Sequence, residues 1–77
     1  MKATARKMPG KYVTVEWGRR KGEDEVRSGK HLARIGAEGT LCGKEVPDSS
    51  PRVAIYLWPG EERATCRECR KALREAG

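Results

Sequence analysis

The chain has 77 residues, no phenylalanine, 36% hydrophobic residues and 36% charged residues, so it forms one small domain with little material for a core. Domains of about 60 residues bury only about 60% of the surface that the unfolded chain exposes, so this composition calls for a further source of stability. Three cysteines cannot form a closed set of disulfides. No apolar stretch approaches the roughly 20 residues that span a bilayer. We therefore expect a cytoplasmic protein with no membrane contact.

The net charge of +6 is concentrated at the start of the chain, where residues 1–22 carry seven basic groups and one acid. Residues 1–10 contain no apolar run, which argues against a signal peptide, and they end in the turn signal Pro9-Gly10. We predict a flexible basic tail at 1–10 and a single domain at 11–77. A basic tail suits nucleic acid or another polyanion, and it serves equally well for solubility.

The first predicted strand covers residues 11–17, because Val13, Val15 and Trp17 alternate with polar residues and so share one face. The polar and charged residues from 18 to 29 follow, and we interpret them as a solvated loop rather than a dedicated binding loop.

A hairpin is predicted next, with strands at 30–35 and 38–42 around Gly36-Ala37. Gly36 at the first position of a two-residue loop fits a type II′ turn, and this register places His31 opposite Cys42. A longer loop through Gly39 is the alternative, and it also leaves His31 and Cys42 close together. Directly opposed residues have Cβ atoms about 4.5–5.5 Å apart, so these two side chains should be neighbours.

The most apolar segment, residues 52–58, predicts a strand at the centre of the sheet. The last element is a helix over 66–76, with Thr65 as N-cap and Glu68 completing a capping box. The predicted fold class is α+β, with an antiparallel sheet of three to four short strands and one C-terminal helix.

The spacing His31-x10-Cys42-x23-Cys66-x2-Cys69 indicates one structural Zn²⁺ site. The Cys-x2-Cys pair lies at a predicted helix N-terminus, where the helix dipole and free N–H groups favour thiolate. Four ligands of mixed nitrogen and sulfur type match a closed tetrahedral zinc site. A site with three cysteines and a carboxylate or water remains open, as do a packed His31 and a buried, unliganded Cys42.

Other cysteine chemistries fit less well. A covalent haem site needs His where Arg70 stands. A zinc deaminase needs Glu at Ala33 and Pro at Thr65. A thioredoxin-like pair needs a βαβ context that the chain does not offer, and four ligands leave no open position for catalysis. The sequence therefore predicts a protein that is not an enzyme and has no small-molecule substrate.

With hairpin ligands followed by a Cys-x2-Cys helix, residues 31–76 resemble treble-clef or zinc-ribbon fingers, although those families usually take their first ligand pair from a Cys-x2-Cys knuckle. The pattern His-Leu-Ala…Thr-Leu-Cys-Gly…Ala-Thr-Cys-Arg-Glu-Cys-Arg-Lys-Ala-Leu also resembles short proteins of actinobacteria and their phages. Both resemblances imply a zinc-finger-like domain at 11–77, and neither implies a particular task.

Two functions remain open, because zinc fingers serve both. One is a nucleic-acid-associated or regulatory role, in which basic groups neutralise phosphates. Its candidate residues are Lys7, Lys11, Arg19, Arg20, Lys21, Arg67, Arg70, Lys71 and Arg74. The basic residues of the helix could equally well be a solvent-exposed face with no binding role. The other is a protein-interaction module, such as a phage or bacterial accessory factor that binds a host or structural partner. Its candidate anchors are Trp17, Tyr56 and Trp58, which could instead fill the core.

Overall fold

The structure, a computed structural model, describes residues 10–76. Its elements are β1 (Tyr12–Lys21), β2 (Asp24–Arg27), β3 (His31–Arg34), β4 (Val53–Pro59) and α1 (Arg67–Ala76). The four strands form one antiparallel sheet and the helix follows it, which confirms the α+β class. Nearly all of the tail predicted at 1–10 lies outside the described residues. Within residues 10–76, no helix is long and apolar enough to cross a membrane.

The long strand β1 is the centre of the sheet. On one edge it pairs along most of its length with β4, from Val13 opposite Pro59 to Arg19 opposite Val53. On the other edge its first half pairs with β3 and its second half with β2. The strands β2 and β3 therefore act as one interrupted edge strand running alongside β1.

The interruption at residues 28–30 is a β-bulge. The register places Arg27 opposite Gly18 and His31 opposite Val15, so three residues of the edge face two of β1. Trp17 fastens the bulge, because its carbonyl accepts the Ser28 N–H and its N–H donates to the Ser28 hydroxyl. Gly29 has a φ of 85°, a conformation that glycine adopts without steric cost. Such bulges redirect the side chains that follow them, and here the next strand begins with His31.

Two apolar clusters pack against the sheet. The first lies on one face and contains Val13, Val15, Trp17, Ala33 and Val46, with Ile35, Val53, Ile55 and Leu57 around it. The second joins β3 to α1 and contains Leu32, Ala64 and Cys69, with Leu41, Cys42, Cys66 and Leu73 around it. Three of the predicted metal ligands belong to the second cluster.

The predicted strand at 38–42 is wrong. The chain does reverse after β3, and Leu41 N–H bonds to the Leu32 carbonyl at 2.8 Å. In the predicted register residues 32 and 41 form a pair without hydrogen bonds, so this bond is not one of the expected ladder. Beyond that point the backbone curls into a tight turn, in which Thr40 N–H donates to the Lys44 carbonyl and Gly43 N–H to the Thr40 carbonyl. The local turn bonds use the groups that a second strand would have needed.

The solvated loop predicted from 18 to 29 is wrong as well. The strand β1 continues to Lys21, and a two-residue turn at Gly22-Glu23 leads into β2. Gly22 has a φ of 63°, as the first loop position of a type II′ turn requires. The opposite charges that suggested a loop face each other across a hairpin, with Arg20 opposite Glu25 and Lys21 opposite Asp24.

The segment predicted to be the central strand is an edge strand. The strand β4 pairs with β1 and with no other strand of the described residues. None of its residues is buried.

Candidate metal centre

Four side chains converge beside β3, and they are the four that the sequence indicated. His31 begins β3, Cys42 lies in the tight turn at residues 40–44, Cys66 directly precedes α1 and Cys69 lies in its first turn. The potential ligand atoms all lie within 4.8 Å of one another. His31 and Cys69 are buried, and Cys42 and Cys66 are half-buried. The four residues are therefore positioned to hold one metal ion.

The bulge before β3 fixes the imidazole of His31. Its Nε2 lies 3.1 Å from the Ser28 carbonyl oxygen, which can only accept, so Nε2 carries the proton. Its Nδ1 then has a free lone pair and lies 3.6 Å from Cys42 Sγ and 3.8 Å from Cys69 Sγ. The ring also stacks on Trp17 with 5.2 Å between centroids. A histidine ligand oriented through its second nitrogen is typical of protein metal sites.

Thr40 orients Cys42. Its hydroxyl oxygen accepts the Lys44 N–H at 3.0 Å and lies 3.1 Å from Cys42 Sγ. With its acceptor side occupied by the backbone, the hydroxyl can donate its proton to a Cys42 thiolate. The same threonine therefore closes the turn and stabilises the charge of a metal-bound sulfur.

The start of α1 is fastened to the bulge. The Lys30 carbonyl accepts the N–H groups of both Thr65 and Cys66 at 3.0 Å, and the Lys30 N–H donates to the Thr65 hydroxyl. This hydroxyl was predicted to cap the helix, but it bonds to Lys30, and the first helical bond runs from Arg70 N–H to the Cys66 carbonyl. These hydrogen bonds to Lys30 bring Cys66 and Cys69 close to His31.

The three thiols do not share one electrostatic environment. Burial raises the pKa of Cys42, but hydrogen bonds from Thr40, from Cys69 and from the Lys44 backbone outweigh it and leave the pKa below its ordinary value. Burial dominates at Cys69 and raises its pKa to about 11. In the metal-free protein Cys69 is thus a protonated thiol at neutral pH, and a metal ion must displace that proton.

The donor set restricts what the centre can do. Three sulfurs and one imidazole nitrogen are soft and borderline ligands, which suit a thiophilic ion and not Mg²⁺ or Ca²⁺. Four protein ligands complete a tetrahedral shell and leave no position for water or substrate, which is typical of a structural metal.

Seven of the nine basic residues singled out in the sequence fall into two groups. Arg19, Arg20 and Lys21 end β1, where acids of β2 face two of them. The second group lies on α1 and is described below. Lys11 is exposed just before β1, and Lys7 lies outside the described residues.

The four basic residues of α1 form one stripe. Arg67, Arg70, Lys71 and Arg74 recur at i, i+3, i+4 and i+7, so they share a face of the helix, and all four are exposed. The buried Cys69 lies on the opposite side. The four stripe residues line an open groove of about 580 Å³, together with Leu32, Leu73, Glu61 and Glu62.

The aromatic candidates separate as well. Trp17 is 8% exposed and lies in the core, so it offers no surface to a partner. Tyr56 and Trp58 are half-buried on the other face of the sheet, stacked with 6.5 Å between ring centroids. Cations cover both rings, because the Arg27 guanidinium lies 4.1 Å from the Tyr56 centroid and Lys30 Nζ lies 5.3 Å from that of Trp58.

A polar network beside these rings escaped the sequence reasoning. Arg27 bonds to the buried Glu16 at 3.0 Å and contacts Glu25 at 3.3 Å, and Glu25 also accepts the Tyr56 hydroxyl. The Glu25 side chain crosses β1 over Gly18, where any Cβ would collide with it. A glycine in the middle of a strand was the available signal, since it often marks such a close approach.

Comparison with protein families, with curated proteins and with solved structures gives no match for this chain.

Proposed function

We propose that this chain is a non-catalytic zinc-finger-like domain that binds nucleic acid through the basic stripe of α1. The metal assignment is supported by the donor set and by distance. With Zn–S near 2.3 Å and Zn–N near 2.0–2.1 Å, a tetrahedral ion separates sulfur from nitrogen by about 3.6 Å. The distances from His31 Nδ1 to Cys42 and Cys69 are 3.6 and 3.8 Å. One Zn²⁺ fits between these ligands with little rearrangement.

The observation that carries the nucleic-acid proposal is the state of the four stripe cations. Within residues 10–76, none of their charged groups has an acidic partner, whereas Arg27 has two. Four unpaired cations on one helix face, directed away from the core, suit a row of phosphates better than they suit the stability of the fold. In this proposal the zinc holds that helix against the sheet and takes no part in chemistry.

Binding to duplex DNA of random sequence, measured by fluorescence anisotropy with the zinc-loaded protein, tests the proposal. Each neutralised phosphate contributes about −0.9 to the slope of log affinity against log salt, so four contacts lower the affinity about 150-fold between about 50 and about 200 mM salt. The double variant Arg70→Gln/Arg74→Gln removes half of the stripe, and the same salt change should then cost only about 12-fold.

A matched control removes two charges elsewhere. Arg34 and Arg52 are exposed and lie outside the stripe, so Arg34→Gln/Arg52→Gln gives the same net charge with the stripe intact. This variant should keep a slope close to that of the parent protein. No binding at low salt, or equal losses in both double variants, would refute a role for the stripe.

A protein-interaction role is the second candidate, and the half-exposed pair Tyr56 and Trp58 favours it. Aromatic residues are common anchors of protein interfaces. A protein that ignores DNA at low salt but loses a partner on Tyr56→Ala would support this role instead.

A further inference from the structure

The outer edge of β4 has backbone groups to which no residue from 10 to 76 bonds. Two bonds fix the alternation along this strand, from Arg20 N–H to the Arg52 carbonyl and from Gly60 N–H to the Tyr12 carbonyl. Counting in steps of two, Ala54, Tyr56 and Trp58 direct their backbone groups toward β1. Ile55 and Leu57 direct theirs outward, and within residues 10–76 nothing bonds to them.

The other edge of the sheet is protected, which makes β4 an exception. In β3 the carbonyl of Leu32 is occupied by Leu41, and α1 and its preceding residues cover the strand. In β2 three of the four residues are charged, a common device against edge pairing. Among the described elements only β1 contacts β4, and the sequence of β4, Val-Ala-Ile-Tyr-Leu-Trp-Pro, carries no charge. An apolar edge of this kind is a template for another strand.

The free groups of β4 complement those of a second copy. If two β4 strands meet antiparallel about a two-fold axis through Tyr56, Ile55 of each copy lies opposite Leu57 of the other. Each such pair exchanges two hydrogen bonds, so the N–H and carbonyl groups of Ile55 and Leu57 all find a partner.

In this register the hydrogen bonding between the two copies ends where the next residues have no free N–H group to donate. The next pair would be Val53 with Pro59, but proline has no N–H, and Val53 already exchanges both of its bonds with Ser50 at 2.9 and 3.1 Å. The unpaired groups of Ile55 and Leu57 are therefore complementary to those of a second copy, and in this register only the Pro59 carbonyl is left without a partner strand. We propose that this chain self-associates through antiparallel pairing of β4 with β4, joining two four-stranded sheets into one of eight strands.

The side chains agree with this register. On one face Ile55 meets Leu57 of the second copy, and on the other Tyr56 meets Tyr56 while Ala54 meets Trp58. Aromatic and β-branched cross-strand pairs are favourable. An edge of seven residues covers far less than the roughly 1,200 Å² of a stable interface, so the dimer is weak. Two copies of net charge +6 repel each other, so added salt should strengthen the dimer, the opposite of its effect on DNA binding.

Sedimentation equilibrium of the full zinc-loaded chain tests the pairing, from about 20 µM to about 1 mM and at two salt concentrations. We expect a dimer that forms in the upper part of this range and is favoured by salt. Amide hydrogen exchange followed by NMR then identifies the interface. The amides of Ile55 and Leu57 should gain protection as the concentration rises, while the Tyr56 amide, which is bonded to β1, should be protected throughout.

A backbone change removes the donor and leaves every side chain in place. N-methylation of Leu57, by chemical synthesis, abolishes two bonds of the dimer and should weaken it about 10- to 30-fold. The control is N-methylation of Glu25, whose amide also points away from β1. Glu25 lies opposite Arg20, and the backbone groups of Arg20 are directed toward β4 and not toward β2. The control should dimerise as the parent protein does.

Three results would overturn the proposal. The chain could stay monomeric at about 1 mM. It could dimerise without new protection at Ile55 and Leu57, which would place the interface elsewhere. Finally, these two amides could be protected equally at every concentration, which would show that another part of the same chain covers the edge. All three of these results come from the unmodified protein, so a misfolded N-methyl variant would not decide the matter.

Discussion

Replacing Thr40 by valine tests whether the metal centre depends on the hydroxyl that orients Cys42. The variant keeps the shape of the side chain and removes one acceptor and one donor. It takes away the bond of 3.0 Å from Lys44 N–H and the contact of 3.1 Å to Cys42 Sγ. Thr40 is 8% exposed, so water cannot easily replace the contact to the sulfur.

The expected loss falls mainly on the metal-bound state. A hydrogen bond to a charged group contributes about 1.5–3 kcal/mol, and in the metal-bound state Cys42 is a thiolate. Loss of an outer-shell partner typically costs 10- to 100-fold in metal affinity, which is about 1.4–2.8 kcal/mol. The two ranges agree, so we expect Thr40→Val to raise the dissociation constant for Zn²⁺ about 10- to 100-fold.

Competition against a chromophoric chelator at neutral pH measures this change. Thr40→Ser is the matched control, because it keeps the hydroxyl and loses only a methyl group, and it should bind zinc within about threefold of the parent protein. The reasoning would fail if Thr40→Val bound zinc as tightly as the parent, or if serine and valine were equally damaging.

Two further predictions concern the metal. Among the described elements, α1 contacts only β3, and isolated helices shorter than about 12–15 residues are marginal in water. Removing zinc with a chelator should therefore abolish most of the helical circular dichroism. It should also change the fluorescence of Trp17, which stacks on His31. Because burial raises the pKa of Cys69 to about 11, zinc must release at least one proton below that pH, so its affinity should fall about tenfold for each unit of decreasing pH. Calorimetry in two buffers of different ionisation enthalpy measures this release, and less than one proton per zinc ion would contradict it.

The four residues of the candidate metal centre could be identified from the sequence, although the local structure around Cys42 could not. The prediction needed only a chain reversal between His31 and Cys42, and any short connection supplies one. It did not need the strand at 38–42, which is lost because Thr40 and Lys44 bond to each other within a turn. Which of two local hydrogen-bond patterns forms depends on small energy differences that residue patterns do not report.

The missed hairpin has a different cause. Residues 19–25 are so highly charged that solvation was the natural interpretation, yet the charges are paired across β1 and β2. The signal was Gly22 at the first position of a two-residue loop, the same feature that suggested a hairpin at Gly36. Likewise, apolar residues on both faces of β4 suggested a central strand. One face packs against the first apolar cluster and the other carries Tyr56 and Trp58, so the pattern did not reveal that one edge is free.

The two apolar clusters divide the molecule into parts that we expect to depend differently on a bound metal ion. The first cluster, around Trp17 and Val46, contains no ligand. In the second, three of the ligands are themselves packing residues, so without the ion little holds α1 to β3. The basic stripe belongs to this metal-dependent part, whereas β4 contacts only β1 among the described elements.

This division separates the two proposals in a single experiment. Chelation should abolish binding of DNA, because the stripe loses its fixed position when α1 detaches from β3. The same treatment should leave pairing through β4 in place, because that edge is supported by β1 and the first cluster. If a chelator abolished both activities together, the first cluster would not fold without the metal, and the sheet would depend on zinc as much as the helix does.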